Sequence, residues 1–438
     1  MEISRERRKE IINALRRGTV PQRGLDFLSV GLGRFDAVVA EELGDVAQGG
    51  SAFKAVRGDY GCGKTFFGRW VQEYSKKKGY ATAEVQISEM ETPLHRLETV
   101  YRRAMEGLST SECFLGAFRS VIDGWFYGLE EDVLAEGNIS PEDQIALQRR
   151  ADDLLEQRLV EVTRATPQFA AALRAYRAAQ RREDHATAEG LAGWLAGQPH
   201  VAASIKRVAG IKGDVDHFAA LSFLRGLLLI LKDSGFSGLV LVLDEIETLQ
   251  RVRGDVREKG LNALRQLIDD IDGGRFPGLY LLVTGTPAFF DGPQGIQRLE
   301  PLAQRLHMDF LTDARFDNPR AVQLRLSPFD HDRLLEVGTK VRDLYISDCS
   351  SPERVRRLAT DDLVAGLARG VTGKLGGKVG VAPRLFLKKL VSDVLDRIDQ
   401  FEDFDPARHY RLTLIGGEMT ETEREAQATG VDDIELDL

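Results

Sequence analysis

Residues 58–65 read G-D-Y-G-C-G-K-T. Gly58, Gly63, Lys64 and Thr65 satisfy the spacing G-x-x-x-x-G-K-[ST] of a phosphate-binding loop. The glycines let the backbone bend so that successive N–H groups face a phosphate. Lys64 is spaced to reach the β- and γ-phosphates of a nucleotide, and Thr65 to give its hydroxyl to Mg²⁺. A helix opening at Thr65 would point its positive end at the same anion. The context is the required one. A-F-K-A-V-R at 52–57 reads as a short strand entering the loop, and 66–77 as a helix leaving it.

Further strands follow. A-T-A-E-V-Q-I at 81–87 alternates and reads as the second. G-L-V-L-V-L-D-E at 238–245 is a nearly continuous apolar run ending in two acids, which fits a strand buried on both faces of a parallel sheet. G-L-Y-L-L-V-T-G at 278–285 is a fourth, and A-V-Q-L-R-L at 321–326 a less apolar fifth, suited to an edge. With helices between them, notably 256–271, the pattern predicts an α/β fold with a doubly wound five-stranded parallel sheet.

The gap between the second and third strands is far longer than a crossover needs. Within it, 97–136, 142–180 and 215–233 read as helices rich in Ala, Leu, Arg and Glu, and 184–214 as a loop around Gly197, Pro199 and Gly213. Upstream, 3–17 and 26–47 read as helical. Downstream, 330–348, 351–369 and 383–400 read as three more helices. The expected division is an N-terminal helical segment (1–48), a nucleotide-binding core in two parts (49–96 and 237–329), a mostly helical insertion (97–236), a helical lid (330–400) and a C-terminal extension with an acidic tail (401–438).

Composition sets the outer bounds. The chain has 438 residues, 43% hydrophobic and 29% charged, an ordinary globular balance. Its net charge of -9 gives no whole-chain basic footprint for nucleic acid, although a local patch stays open. No run of about 18 apolar residues suggests a membrane span, and the charged start M-E-I-S-R-E-R-R-K-E does not read as a signal peptide. The three cysteines, Cys62, Cys113 and Cys349, are widely spaced, form no metal framework and suit a reducing, cytoplasmic location.

The remaining motifs supply candidate chemistry. Asp244, at the C-terminal end of the third strand, is the second candidate ligand for Mg²⁺ beside Thr65. Glu245 is the candidate to orient and activate an attacking water, unless the pair only caps the next helix. Phosphoryl transfer asks mainly for positioning and charge neutralisation, which these side chains can provide. Glu247 is expected as a surface or subunit-contact acid. In T-G-T-P, 284–287, Thr284 and then Thr286 are candidates to sense the γ-phosphate or place the water, against simple strand-end satisfaction of a hydroxyl. In V-A-P-R-L-F-L-K-K-L, 381–390, Pro383 suits a first helical turn and Arg384 is a candidate to fold over the phosphates, while Lys388 and Lys389 read as solvated. In R-L-E-P-L-A-Q-R-L, 298–306, Arg298 and Arg305 are candidate trans arginines, Arg305 preferred as the finger; its ordinary reading is a salt-bridged helix arginine. Arg251, Arg253, Arg257, Lys259 and Arg265 are the local candidates for DNA, with Asp255 and Glu258 interleaved.

Assembled, these residues resemble the AAA+ (ASCE) class of P-loop ATPases, with Glu beside Asp, a polar strand-end residue and a helical lid bearing an arginine. More specifically, I-I-N-A-L-R-R-G-T-V-P at 11–21, G-G-S-A-F-K-A-V-R-G-D-Y-G-C-G-K-T-F at 49–66 and L-V-L-V-L-D-E-I-E at 239–247 resemble the ATP-binding proteins of bacteriophage-exclusion (BREX) systems, a group that includes the smaller ATPase BrxD, the member this chain resembles most. The stretch R-G-D-Y-G-x-G-K-T-F is more specific than the bare loop and adds Gly61 and Phe66 to the nucleotide-binding set. The resemblance implies ATP with Mg²⁺, hydrolysis, self-association into a homo-oligomer and a role in defence against phage. It implies double-stranded DNA and other defence proteins, such as a helicase or methyltransferase, as partners. The competing expectation is an ATP-gated assembly or signalling scaffold with little intrinsic hydrolysis. R-H-Y-R-L-T-L-I at 408–415 could pair as a strand but does not establish a winged helix.

Overall fold

The computed structural model describes residues 3–375, 380, 383–419 and 421–428. Five strands form one sheet: β1 Ala52–Arg57, β2 Ala81–Gln86, β3 Leu239–Asp244, β4 Leu279–Gly285 and β5 Gln323–Arg325, in the order β2-β3-β4-β1-β5. β3 pairs in parallel with β2, from Ala81 opposite Leu239 to Gln86 opposite Asp244, and with β4, from Leu239 opposite Leu279. Every residue of β3 and β4 is buried. That is what a continuous Leu/Val run requires, since a strand covered on both faces has no solvent side on which to place polar residues. The short β5 lies at an edge, as its weaker apolar character predicts.

The chain divides into two compact units. One gathers residues 1–38, 56–73 and 309–438; the other comprises 39–55 and 74–308. In the first, Ile11, Ile12 and Leu15 of the Arg5–Arg16 helix join Leu334, Val337, Val341, Val364, Phe386, Val391 and Ile398 in one apolar cluster. The N-terminal helix and the helices after residue 330 therefore share a core. Glu73, on the Lys64–Lys76 helix, accepts from the backbone N–H groups of Gly24 (3.0 Å) and Leu25 (2.7 Å), which fastens the entering chain.

The second unit carries the long helical insertion: Leu97–Glu106, Ala117–Ala135, Gln144–Ala165, Pro167–Arg181, His185–Leu195, Ala203–Val208 and His217–Asp233. The segment expected as a loop, 184–214, is thus largely helical. Gly190 and Gly193 punctuate the sequence but sit inside a helix. A Cβ on Gly190 would lie 2.5 Å from Ile205 Cδ1, so the glycine makes room for the neighbouring helix rather than a turn.

Several expected single helices are broken. The 26–47 stretch forms Leu25–Leu28 and Gly33–Ala47, parted at Gly31 in the left-handed region (φ 71°). The 97–136 stretch is parted between Gly107 and Gly116, and 142–180 at Thr166, where Pro167 begins the next helix in the one turn that needs no N–H donor. Likewise 351–369 divides into Pro352–Leu358 and Asp361–Lys374. Residues 410–415 form no strand. The end of the acidic tail, 429–438, lies outside the described residues, as do Val381 and Ala382. No helix among the described residues is long and apolar enough to cross a membrane.

Candidate nucleotide site

In the first unit the loop leaves β1 at Arg57 and enters the Lys64–Lys76 helix one residue earlier than its sequence predicts. Gly61 (φ 82°) and Gly63 (φ 94°) take left-handed backbone, which bends the loop around its own N–H groups. Gly58 is required for a different reason. A Cβ there would lie 2.3 Å from Cys62 Sγ and 3.4 Å from Leu326 Cβ. Burial pushes the Cys62 thiol up to about 11 despite the nearby Lys64 ammonium, so it is a neutral packing group at physiological pH.

Lys64 is buried, and its Nζ donates to the carbonyl oxygens of Gly58 (3.0 Å) and Asp59 (3.3 Å) while lying 5.0 Å from the Tyr60 ring centroid. The ammonium is thereby held over the loop that a phosphate would enter. Thr65 follows it in the first helical turn. Phe67 packs edge-on to Phe35 with centroids 5.4 Å apart, and the Phe66 side chain packs against the apolar cluster of this unit. Phe66 thus anchors the helix. Cradle, ammonium and helix start together fit the phosphates of a nucleotide.

In the second unit β3 ends at Asp244, buried, and Glu245 takes left-handed backbone (φ 60°). A non-glycine residue in that region stores about 1 kcal/mol of strain. The turn is held by Thr284, at the end of β4, whose hydroxyl donates to Asp244 Oδ1. The Glu245 N–H donates to Asp244 Oδ1 (3.1 Å) and to Thr284 Oγ1 (3.2 Å). Asp244, Glu245 and Thr284 therefore form one corner, in which the Thr284 hydroxyl serves the carboxylate. Glu245 Oε2 accepts from Nε2 of Gln86, at the end of β2, at 2.8 Å. Reading the sequence missed Gln86; the usable signal was a polar residue closing the second strand.

The other candidates separate. Thr286 is buried as the residue preceding the Pro287–Asp291 helix. Glu247 is buried, not a surface acid, because the short 3-10 turn Ile246–Gln250 rotates it inward. Arg305 ends the Glu300–Arg305 helix, half-exposed, and pairs with Asp269 and with Asp272 (3.6 Å), the ordinary salt-bridged arrangement. Arg298 closes the short Ile296–Arg298 turn, exposed, near Gln294. In the first unit, Arg384 donates to both carboxylate oxygens of Glu423 and to the Glu418 carbonyl (2.7 Å). Lys389 is not solvated: it is buried and pairs with Glu418 (2.8 Å) and Asp393 (3.2 Å), because the residues after 415 fold back onto it. Lys388 lies 3.8 Å from Glu418.

The proposed DNA candidates also sort by burial. Arg257 is buried and donates to the carbonyls of Leu249 (3.0 Å), Gln250 (2.8 Å) and Val252 (2.9 Å), so it braces the turn after Glu245 instead of facing a phosphate. Arg253 pairs with Asp255 (3.2 Å) and Arg265 with Asp269 (3.9 Å); Arg251 and Lys259 are exposed.

A family model described as BREX system ATP-binding protein BrxC/D matches residues 3–414. Neither the curated proteins nor the solved structures contain a match to the chain.

Proposed function

Because the chain belongs to the family of BREX system ATP-binding proteins BrxC/D, we propose that it is an AAA+ ATPase of phage defence that binds ATP with Mg²⁺ and hydrolyses it to drive or gate action on DNA or on a DNA-processing partner. The observation that carries this reading is the glycine loop entering the Lys64–Lys76 helix, with the Lys64 ammonium held over it. Within the family, the resemblance of the 49–66 and 239–247 stretches favours a BrxD-like member.

In this reading Gly58, Gly61, Gly63 and Lys64 hold the phosphates, and Thr65 and Asp244 are the metal's protein ligands. A metal held there would supply charge neutralisation to the phosphates. Glu245 takes the proton of the attacking water, and Thr284 acts as a positioning residue through Asp244 and the Glu245 N–H. Arg384 and Arg305 are each tied to acids, so either would reach a nucleotide only after exchanging those partners. Self-association, double-stranded DNA and a helicase or methyltransferase partner belong to the same proposal.

The deciding experiment is steady-state ATP hydrolysis with and without DNA, with Glu245→Gln as control. The variant is expected to bind ATP normally and lose turnover by about 100-fold or more, the usual worth of a positioned base. Unchanged turnover in the variant would remove Glu245 from the chemistry. The Gln86–Glu245 bond favours a second reading, an ATP-gated assembly factor with little intrinsic hydrolysis. That reading expects negligible turnover in the wild-type chain and a change of solution mass on adding ATP.

A further inference from the structure

Between Pro167–Arg181 and β3 the second unit presents a feature that nucleotide binding does not use. The Ala203–Val208 and His217–Asp233 helices are joined by a hairpin, A-G-I-K-G-D-V-D, with Gly210 (φ 65°) and Gly213 (φ 74°) in left-handed backbone. Nothing lies within 4 Å of where a Cβ would stand on either glycine, so the hairpin backbone is open to close approach.

The hairpin is anchored. Ile211 and Val215 are buried, and the Trp194 indole donates to the Gly213 carbonyl at 3.1 Å. Its acids are committed internally. Asp214 pairs with Lys206 (3.0 Å) and accepts from the His200 N–H (3.3 Å), and Asp216 caps the second helix by accepting from Ala219 N (2.8 Å). Arg207, Lys212 and Arg225 are exposed, and among the described residues none of the three makes an ion pair. Phe218 is 75% exposed beside His217, seven residues before Arg225 and hence on the same helical face. Over residues 203–225 the chain carries Lys206, Arg207, Lys212 and Arg225 against Asp214 and Asp216, a basic balance on a chain whose net charge is -9.

We propose that this hairpin is a binding site for single-stranded DNA, with Phe218 stacking on a base and Arg207, Lys212 and Arg225 meeting phosphates. An exposed phenyl ring on the helical face of Arg225, following a helix and loop that carry exposed Arg207 and Lys212, matches the stacking-plus-phosphate chemistry of single strands, whose bases are accessible, better than that of a duplex, whose bases are stacked inside. The inference rests on the reading of this chain as acting on DNA and moves the contact from the 251–265 region to the insertion.

The test is fluorescence anisotropy of a labelled oligothymidylate with the full-length chain, without nucleotide, across a range of salt. Phe218→Ala is expected to weaken binding by about tenfold with an unchanged salt slope, and Phe218→Tyr to restore it. The triple variant Arg207→Ala, Lys212→Ala, Arg225→Ala should lower the slope of log affinity against log salt by about 2. All these side chains are exposed, so melting temperature and ATP binding should stay at wild-type values. Wild-type affinity in both variants, no saturable binding at low salt, or equal affinity for a duplex with no effect of Phe218→Ala would overturn the site. ATP turnover is read separately, so an inactive ATPase leaves the hairpin's result intact, and a silent hairpin leaves the ATPase reading intact.

Discussion

Gln86, the last residue of β2, and Glu245, the first residue after β3, stand 159 residues apart in sequence and meet at 2.8 Å, amide nitrogen to carboxylate oxygen. Their meeting follows from the parallel register that sets Gln86 opposite Asp244. The amide occupies one carboxylate oxygen, which is then not free to accept from an attacking water. Gln86→Ala should therefore raise basal ATP turnover several-fold and leave ATP affinity unchanged. Turnover equal to or below wild type would show that the bond aids the chemistry instead of restraining it.

Lys64→Ala removes the only side-chain cation inside the loop's own sequence. Charge-assisted hydrogen bonds to phosphate are worth about 1.5–3 kcal/mol, so ATP affinity should fall at least tenfold, read by calorimetric titration. Melting temperature in the absence of nucleotide should hardly move.

Gly58 and Cys62 form a coupled pair. Gly58→Ala places a methyl group on Cys62 Sγ, an overpacking cost of about 1–3 kcal/mol in a loop that cannot widen without losing its shape. Adding Cys62→Ala removes the sulfur and should recover most of that loss, whereas Cys62→Ser should recover little. Additive double mutants in denaturant unfolding would refute the coupling. Because the thiol is held near 11, Cys62 in the native chain should also resist alkylation at pH 8.

Arg257→Ala strips three backbone carbonyls of their donor and should cost about 3 kcal/mol of stability. Arg253→Ala, at an exposed site paired with its near neighbour Asp255, should change stability by less than about 0.5 kcal/mol. Equal melting temperatures for the two variants would contradict the bracing role assigned to Arg257.

The Lys389–Glu418 pair sets a pH window. Burial alone would lower Lys389, but Glu418 and Asp393 raise it overall; burial alone would raise Glu418, but Lys389 lowers it overall. The depressed acid contributes stability above about pH 4.3, lost as pH falls through its folded value. The raised base contributes below about pH 10.4, lost as pH rises through its own. Glu418→Gln should lower the melting temperature between those limits and make no difference well below them. An equal deficit at strongly acidic pH would exclude the ion pair as its cause.

The sequence alone determined the sheet and the glycine loop between β1 and the Lys64–Lys76 helix. A Leu/Val run can be satisfied only by cover on both faces, and the glycine spacing has few other uses, so β1 to β5 and Gly58–Thr65 were legible from local chemistry. It also named Asp244, Glu245 and Thr284, each at the end of a recognisable strand.

Tertiary structure decided what those side chains meet. That Thr284 donates to Asp244, that Gln86 donates to Glu245, that Arg384 pairs with Glu423 and that Arg257 is buried all depend on segments distant in sequence, where no periodicity carries information. The same limit explains 184–214. Glycine reads locally as a turn, yet at Gly190 its lack of a side chain is used for packing, and only the neighbouring helix, through Ile205, reveals which of the two it is.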